Sequence, residues 1–268
     1  MQQIISTTRN FFYFPKAQNI CLIYADVSVL KLRLFKSLCI QVSSKNTLLF
    51  RFRKQKLGHL FYKLVYRNEP KLQLECSNAT KLGYLSNGKK IVFEFDEQNE
   101  PIYVYKQGNV DGNWEKEHFL GYTLIENYSK EEYFNKRKLL KKALEIRWNQ
   151  ITKGEKLHGD FTHLNVLISS SNELIFIDEK QLKNSQLFDH YYFYSYFIQC
   201  LEKCETINNN DVAFIKEDIQ QLIKGIFLKC TKESILEALN SINLEHTYGI
   251  DSNNKKQSLI NFKNFILN

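Results

Sequence analysis

The feature that most constrains this chain is a polar run at residues 158–165, which carries Asp160 and, five positions later, Asn165. Two short apolar segments follow it, and four turn-forming residues at 169–172 separate them. Apolar and β-branched residues on both sides of such a turn predict a β-hairpin. Asp178 comes directly after the second segment, so the hairpin is bounded by polar groups at its open end.

The hairpin predicts where these polar groups lie. Because a hairpin returns the chain to the end where it began, Asn165 and Asp178 are expected side by side. Asp160 lies on the loop that enters the same end, so three oxygen-bearing side chains would converge there. Such ligands suit Mg²⁺, which takes one or two protein groups and fills its shell with phosphate oxygens and water. The alternative is a surface hairpin with ordinary turn residues.

The run at 158–165 resembles the catalytic loop of kinase-fold phosphotransferases, with Gly159 where protein kinases carry Arg in H-R-D-x-x-x-x-N. The resemblance is to the aminoglycoside phosphotransferase and choline kinase group. It extends to bacterial kinases that phosphorylate sugars of surface glycans, such as the lipopolysaccharide core. It is clear over residues 101–200 and faint over 72–100.

The resemblance implies an enzyme, a kinase that uses ATP and Mg²⁺ to phosphorylate an alcohol group. In that family the residue matching Asp160 is the catalytic base toward the substrate hydroxyl. The residues matching Asn165 and Asp178 hold the metal ions that bridge the nucleotide phosphates. The implied fold class is α+β, a two-lobed protein-kinase-like fold with a small antiparallel β N-terminal lobe and a helical C-terminal lobe.

A kinase-like fold also needs a lysine on a strand of the small lobe, positioned by a helix glutamate. A predicted strand ends at Lys106, with 89–95 as its hairpin partner. The next segment, 113–120, has helical spacing and offers Glu117, or alternatively Glu115, to the lysine. Lys106 is then a nucleotide-binding cation. The ordinary interpretation is a solvated surface charge.

A further nucleotide contact is expected at Ser77 and Asn78, in a turn after a predicted strand at 72–76, where backbone N–H groups could meet phosphate. No glycine-rich phosphate loop accompanies this turn, so an ordinary polar turn remains an alternative. Asp178 is followed by Glu179 and not by Phe-Gly, which argues against a protein kinase with a regulated activation loop.

The C-terminal half predicts a helical lobe, with helices over 130–151, 185–204, 211–229, 231–243 and 251–267. The apolar stripe of the first helix includes Trp148, and the expected N-caps of the last two are Thr231 and either Asp251 or Ser252.

Asp189 resembles the family's aspartate that accepts hydrogen bonds from the catalytic-loop backbone. An acidic residue that favours the helix dipole is the other interpretation. His158 is expected to be structural and His163 to point to solvent or substrate. A zinc hydrolase is the competing assignment for these histidines, although their spacing does not suit it.

These patterns divide the chain into three parts: a basic segment of unclear role at 1–66, a small nucleotide-binding lobe at 67–127 and a helical catalytic lobe at 128–268. Residues 1–90 carry 16 Lys and Arg against 3 Asp and Glu. The densest stretch includes Arg51, Arg53, Lys54 and Lys56. This charge could face an anionic membrane surface or acidic glycolipid, face nucleic acid, or only solvate the protein.

The sequence therefore predicts a phosphotransferase acting on a small molecule or a surface-glycan sugar. A catalytically silent, kinase-like binding protein is the alternative, because little chain remains between Glu117 and the next helix for the rest of a small lobe. The six cysteines lack C-x-x-C spacing and are expected to be reduced, as in a cytoplasmic protein. Peripheral contact with the inner membrane face is compatible with the charge, and nucleic acid is not an expected partner.

Overall fold

The chain has a mixed α+β architecture with an antiparallel sheet followed by helices. In the computed structural model of the protein, the described residues are 3–5, 11–13, 20–25, 33–34, 72–74, 80–86, 89–98, 100–107, 114–204, 207–247 and 249–268. They fall into two compact units, Met1–Phe119 and Leu120–Asn268.

The first unit is built from antiparallel strands. They are β1 (Gln3–Ile5), β2 (Phe11–Tyr13), β3 (Ile20–Ala25), β4 (Leu72–Leu74), β5 (Thr80–Ser86), β6 (Lys89–Phe95), β7 (Pro101–Gln107) and β8 (Trp114–His118). Six of them form one sheet in the order β2-β3-β5-β6-β7-β8, and β1 pairs with β4. The predicted hairpin of β6 and β7 is confirmed, and its turn is closed by a hydrogen bond from Asp96 N to Glu100 O at 2.9 Å.

Two expectations for this unit are wrong. The segment 113–120 is not helical, because β8 pairs with β7 in register and lies at the sheet edge. An isolated helix of so few residues is marginal, and cross-strand contacts outweigh its spacing. Lys116, for example, lies 3.6 Å above the Tyr103 ring. Glu117, the expected helix partner of Lys106, therefore lies on strand β8 and not on a helix.

The second unit contains five helices among its described residues. They are α1 (Lys130–Thr152), α2 (Phe188–Lys203), α3 (Asn209–Ile226), α4 (Lys232–Asn240) and α5 (Lys255–Leu267). Thr231 caps α4 as expected, accepting from Ser234 N at 3.2 Å, and Ser129 caps α1 by accepting from Glu132 N at 3.1 Å. The predicted cap of α5 at Asp251 or Ser252 is wrong, since a 3₁₀ turn over Ser252–Asn254 precedes that helix.

A small antiparallel sheet lies in the same unit, formed by β9 (Tyr122–Thr123), β10 (Val166–Ile168) and β11 (Leu174–Phe176) in the order β11-β10-β9. Val166 pairs with Phe176 and Ile168 with Leu174, which confirms the predicted hairpin. Helix α2 packs beside it and is aromatic on several faces, with Tyr191, Phe193 and Phe197 almost fully buried. This core holds the hairpin and the preceding loop in place.

Helices α1 and α3 are joined by a polar contact. Asp218 accepts from Arg137 Nε at 2.7 Å and Nη2 at 2.9 Å, and from the Tyr133 hydroxyl at 2.6 Å. Burial alone would raise the pKa of the Asp218 carboxyl, but the hydrogen bonds from Arg137 and Tyr133 outweigh it and lower that pKa. The ionised form of Asp218 therefore stabilises the fold.

None of the helices formed by the described residues is long and apolar enough to cross a membrane.

Asp218→Asn should lower the free energy of unfolding by about 1–2 kcal/mol at pH 7, because hydrogen bonds to a charged partner are lost. A lowered folded-state pKa contributes stability above the ordinary carboxyl value of about 3.9, and that stability is lost as pH falls through the folded-state pKa. Urea unfolding at several pH values from 7 to 3 should therefore show the variant converging on the wild type in acid. Glu217→Asn, at an exposed neighbouring position, is the control and should cost little. A pH-independent difference would contradict this account.

Candidate functional site

The backbone conformation of the loop between α1 and β10 requires glycine at position 159. Gly159 has a φ of +78°, and a Cβ there would lie 2.6 Å from Leu182 Cγ, so both conformation and space require glycine. The Asp160 side chain, which follows directly, is 22% exposed and so remains accessible to a substrate.

Asp189 on α2 binds the backbone of this loop. Its carboxylate, which is fully buried, accepts hydrogen bonds from His158 N at 2.8 Å and Gly159 N at 3.0 Å. It also pairs with Arg147 on α1, whose Nε lies 2.7 Å from Oδ2. The expected hydrogen bonding of Asp189 to the loop backbone is thus confirmed. An acidic residue serving only the helix dipole would not point at these amides.

Arg147 was not foreseen from the sequence. The apolar spacing of α1 predicted that Trp148 would face the core, but Trp148 is only partly buried and Arg147 is 2% exposed. Arg147 also donates to Gln150 Oε1 at 3.1 Å and to the Lys156 carbonyl. One signal was present: Arg147 continues the stripe of Leu140 and Leu144 at three- and four-residue spacing.

The hairpin brings Asn165 and Asp178 to the same end as Asp160. Ile177 N donates to Asn165 O at 3.0 Å, and Asp178 follows immediately. Asn165 Nδ2 donates to the Asp160 carbonyl at 2.8 Å, which leaves Oδ1 without a hydrogen bond from the described residues. The Asp178 carboxylate is exposed and has no hydrogen bond or ion pair within that same part of the chain. Asn165 Oδ1 and the Asp178 carboxylate, which accept no hydrogen bond from the described residues, therefore both belong to one end of the hairpin.

Asp178 has a positive φ of 59°, which is uncommon for a residue other than glycine. Such conformations cost free energy and occur where the surrounding structure imposes them, often at functional sites. Here that conformation occurs just after the second strand of the hairpin. The oxygen donors of Asn165 and Asp178 fit Mg²⁺, which would take them together with phosphate oxygens and water.

After Asp178, residue Lys180 contacts the loop that carries Asp160. Lys180 N donates to His158 O at 2.7 Å, and Lys180 Nζ lies 2.8 Å from Asp160 Oδ2. The sequence patterns assigned no role to Lys180 and missed this ion pair. Its position two residues after Asp178 was the available signal. The Asp160 carboxylate therefore has a cation beside it.

Tyr192 on α2 also interacts with Asp160. Its hydroxyl accepts a hydrogen bond from Gly249 N at 3.0 Å. Burial, and then the negative charge of Asp160, raise the pKa of the Tyr192 hydroxyl well above its ordinary value. The phenol therefore stays neutral beside the Asp160 carboxylate.

The two histidines of the loop are buried. His158 is structural as expected: its Nδ1 accepts from Asp160 N at 3.3 Å, and burial lowers its pKa. The expectation that His163 points to solvent or substrate is wrong. Its ring is fully buried, its Nε2 lies 2.7 Å from the Tyr128 hydroxyl, and burial lowers its pKa to about 3. The ring packs in the interior against aromatic side chains of α2, including Phe193 and Phe197.

The zinc alternative has no support in the described residues, where no three His, Cys, Asp or Glu side chains are grouped to hold a metal ion.

Lys106 and Glu117 lie in the first unit and form an ion pair, with Nζ 2.7 Å from Oε2. The side chains are 42% and 45% exposed. Glu117 is on strand β8 and not on a helix, so the predicted helix partner is corrected to a cross-strand partner. Lys106 is opposite Glu115 in the strand register, and Glu117 is its diagonal neighbour. Exposed pairs of this kind contribute little to stability.

The remaining expectations concern residues outside the described part of the chain. Ser77 and Asn78, the expected phosphate contacts, are among them. So is the basic stretch that contains Arg51, Arg53, Lys54 and Lys56.

Comparisons with known proteins give no match: no family model, no curated protein and no solved structure resembles this chain significantly.

Asp189→Asn should destabilise the second unit by about 3–5 kcal/mol, because it leaves the buried Arg147 guanidinium without its counter-charge. Urea unfolding followed by circular dichroism measures this loss. Asp251→Asn is a matched control, since Asp251 is 44% exposed and pairs with Lys203 at the surface, where a pair contributes at most about 1 kcal/mol. Equal stability losses in the two variants would contradict the anchoring role of Asp189.

Proposed function

We propose that this chain is a kinase-like phosphotransferase that moves the γ-phosphate of ATP onto a hydroxyl group of a small molecule or a surface-glycan sugar. The observation that carries the proposal is the convergence of Asp160, Asn165 and Asp178 at one end of a hairpin. The two-lobed kinase-like fold belongs to the same proposal. The support for it is the antiparallel sheet, the helical second unit and the bonding of Asp189 to the loop backbone.

Asp160 acts as the base in this proposal. A carboxylate accepts a proton from a hydroxyl that lies about 2.6–3.2 Å away, and the 22% exposure of Asp160 allows such an approach. The loop amides bound to Asp189 fix the position of Asp160, which suits a reaction that depends on orientation.

Asn165 and Asp178 would hold Mg²⁺ through Oδ1 of the amide and the exposed carboxylate. When bound, the ion neutralises charge on the nucleotide phosphates. Lys106 would contact phosphate oxygens, and Glu117 would hold the Lys106 side chain through the 2.7 Å ion pair. Ser77 and Asn78 remain proposed phosphate contacts on the resemblance alone.

The second candidate is a catalytically silent kinase-like binding protein. One observation favours it: Lys106 and Glu117 form an exposed pair on adjacent strands, an arrangement that an ordinary sheet surface also produces. The chemistry at Asp160 would then have no nucleotide to act on. The location of the protein, including peripheral contact with an anionic membrane, is part of the proposal and follows from the basic charge of residues 1–90.

Asp160→Asn should lower phosphoryl transfer at least about a hundredfold, because an amide of the same shape cannot accept the proton. Transfer is measured with γ-labelled ATP, with water and a panel of hydroxyl-bearing glycans as acceptors. Fold and Mg·ATP affinity should stay close to wild type, and Asp251→Asn serves as the surface control. Turnover at the wild-type rate would remove Asp160 from the mechanism.

Asp178→Ala should weaken Mg·ATP binding more than Lys106→Ala does. Asp178 is a direct ligand of the ion in this proposal, whereas Lys106 is one of several groups that neutralise phosphate. Calorimetric titration with Mg·ATP gives both affinities. Glu179→Gln, which changes the exposed neighbouring carboxylate, should leave the affinity unchanged. The reverse order of the two alanine variants would show that the hairpin end is not the metal site.

A further inference from the structure

Lys180 contacts the loop twice, through its side chain, which pairs with Asp160, and through its backbone N–H. Lys180 Nζ lies 2.8 Å from Asp160 Oδ2, and Lys180 N donates to the His158 carbonyl at 2.7 Å. The backbone of Lys180 is thus bonded to the same loop whose amides bind Asp189. The pair is therefore fixed by the backbone and not only by two long side chains that happen to meet.

Stability alone does not account for this pair. The Lys180 side chain is 41% exposed, and ion pairs open to solvent contribute little to stability. The chain nevertheless takes a positive φ at Asp178 just before Lys180, a conformation that costs free energy. In the proposed reaction, a cation beside Asp160, the carboxylate that would face the substrate, has a chemical role.

That role follows from the charge that phosphoryl transfer must neutralise. The moving phosphoryl group carries negative charge on three equatorial oxygens, and catalysis consists mainly of positioning and neutralising it. An acceptor hydroxyl within about 3 Å of Asp160 places phosphorus about 3–3.5 Å further on. The Lys180 ammonium, 2.8 Å from Asp160, can reach these oxygens by rotation of its flexible stem.

We propose that Lys180 is a further catalytic residue, whose ammonium group leaves Asp160 to bind the equatorial oxygens of the phosphoryl group during transfer. This rests on the proposed function. In the step, the acceptor oxygen forms a bond to the γ-phosphorus while the bond from that phosphorus to the β,γ-bridging oxygen breaks. The bond's electron pair stays on ADP, the hydroxyl proton goes to Asp160, and Lys180 keeps its protons throughout.

This role differs from that of Lys106. Lys106 would contact the nucleotide in the ground state, so its loss weakens binding. Lys180 binds Asp160 in the absence of nucleotide and would reach the phosphoryl oxygens only when the phosphoryl group moves toward the acceptor beside Asp160. Its contribution therefore appears in the transition state and not in the affinity for nucleotide.

The test compares two affinities in each variant, measured by calorimetry: that for Mg·ADP, and that for Mg·ADP with aluminium fluoride, which imitates the transferring phosphoryl group. Lys180→Met should weaken the aluminium fluoride complex about a hundredfold, as loss of one transition-state donor does elsewhere, and change the Mg·ADP affinity less than about threefold. Lys180→Arg, which keeps the charge, should restore most of the loss. Lys183→Met, an exposed lysine on the same connection, should change neither affinity.

Equal losses of both affinities in Lys180→Met, or no loss in either, would overturn the catalytic role. A folded wild type that binds neither Mg·ADP nor Mg·ATP would overturn the proposed function itself, and this result is read before any variant is made. Thermal unfolding of each variant separates a loss of affinity from a loss of structure. If Lys180→Met does not fold, Lys180→Arg with wild-type affinity for Mg·ADP but no binding of the aluminium fluoride complex would still decide against the proposal.

Discussion

The buried carboxylate of Asp189 is the constraint on which the second unit depends. It has no exposed surface, and its partner Arg147 is 2% exposed, so both charges are removed from water at a cost of several kcal/mol each. That cost is tolerable only because Asp189 accepts from Arg147 and from two backbone amides. The pair therefore joins α1, α2 and the loop in one arrangement, and no one of the three can shift without stranding a buried charge.

The geometry of the candidate site follows from this anchor. With the backbone of His158 and Gly159 fixed, Asp160 is fixed as well, and Asn165 Nδ2 bonds to its carbonyl. The hairpin register then determines where Asp178 emerges. Gly159 and Asp178 both have a positive φ, so the backbone at the loop and at the end of the hairpin takes an uncommon conformation that the surrounding structure maintains. A reaction that depends on position and charge needs such preorganisation.

Local sequence patterns predicted much of this fold, because hairpin turns and helix caps depend on neighbouring residues. The hairpin of β10 and β11, the cap at Thr231 and the span of α1 are of this kind. The failures are non-local. The segment 113–120 has helical spacing, yet it pairs with β7. His163 is polar, yet aromatic side chains of α2 enclose it. The ion pair of Lys180 with Asp160 joins residues on opposite sides of the hairpin in sequence, a contact that spacing does not reveal.

The central claim, a phosphotransferase that uses ATP, is tested most directly by the melting temperature of the protein in Mg·ATP and in Mg²⁺ alone. A ligand at a hundred times its dissociation constant stabilises the folded state by about 2.7 kcal/mol. For a chain of this size that corresponds to a rise of at least about 5 °C. The account predicts such a rise with Mg·ATP, and a smaller one when a chelator removes the metal. An unchanged melting temperature in Mg·ATP would contradict it.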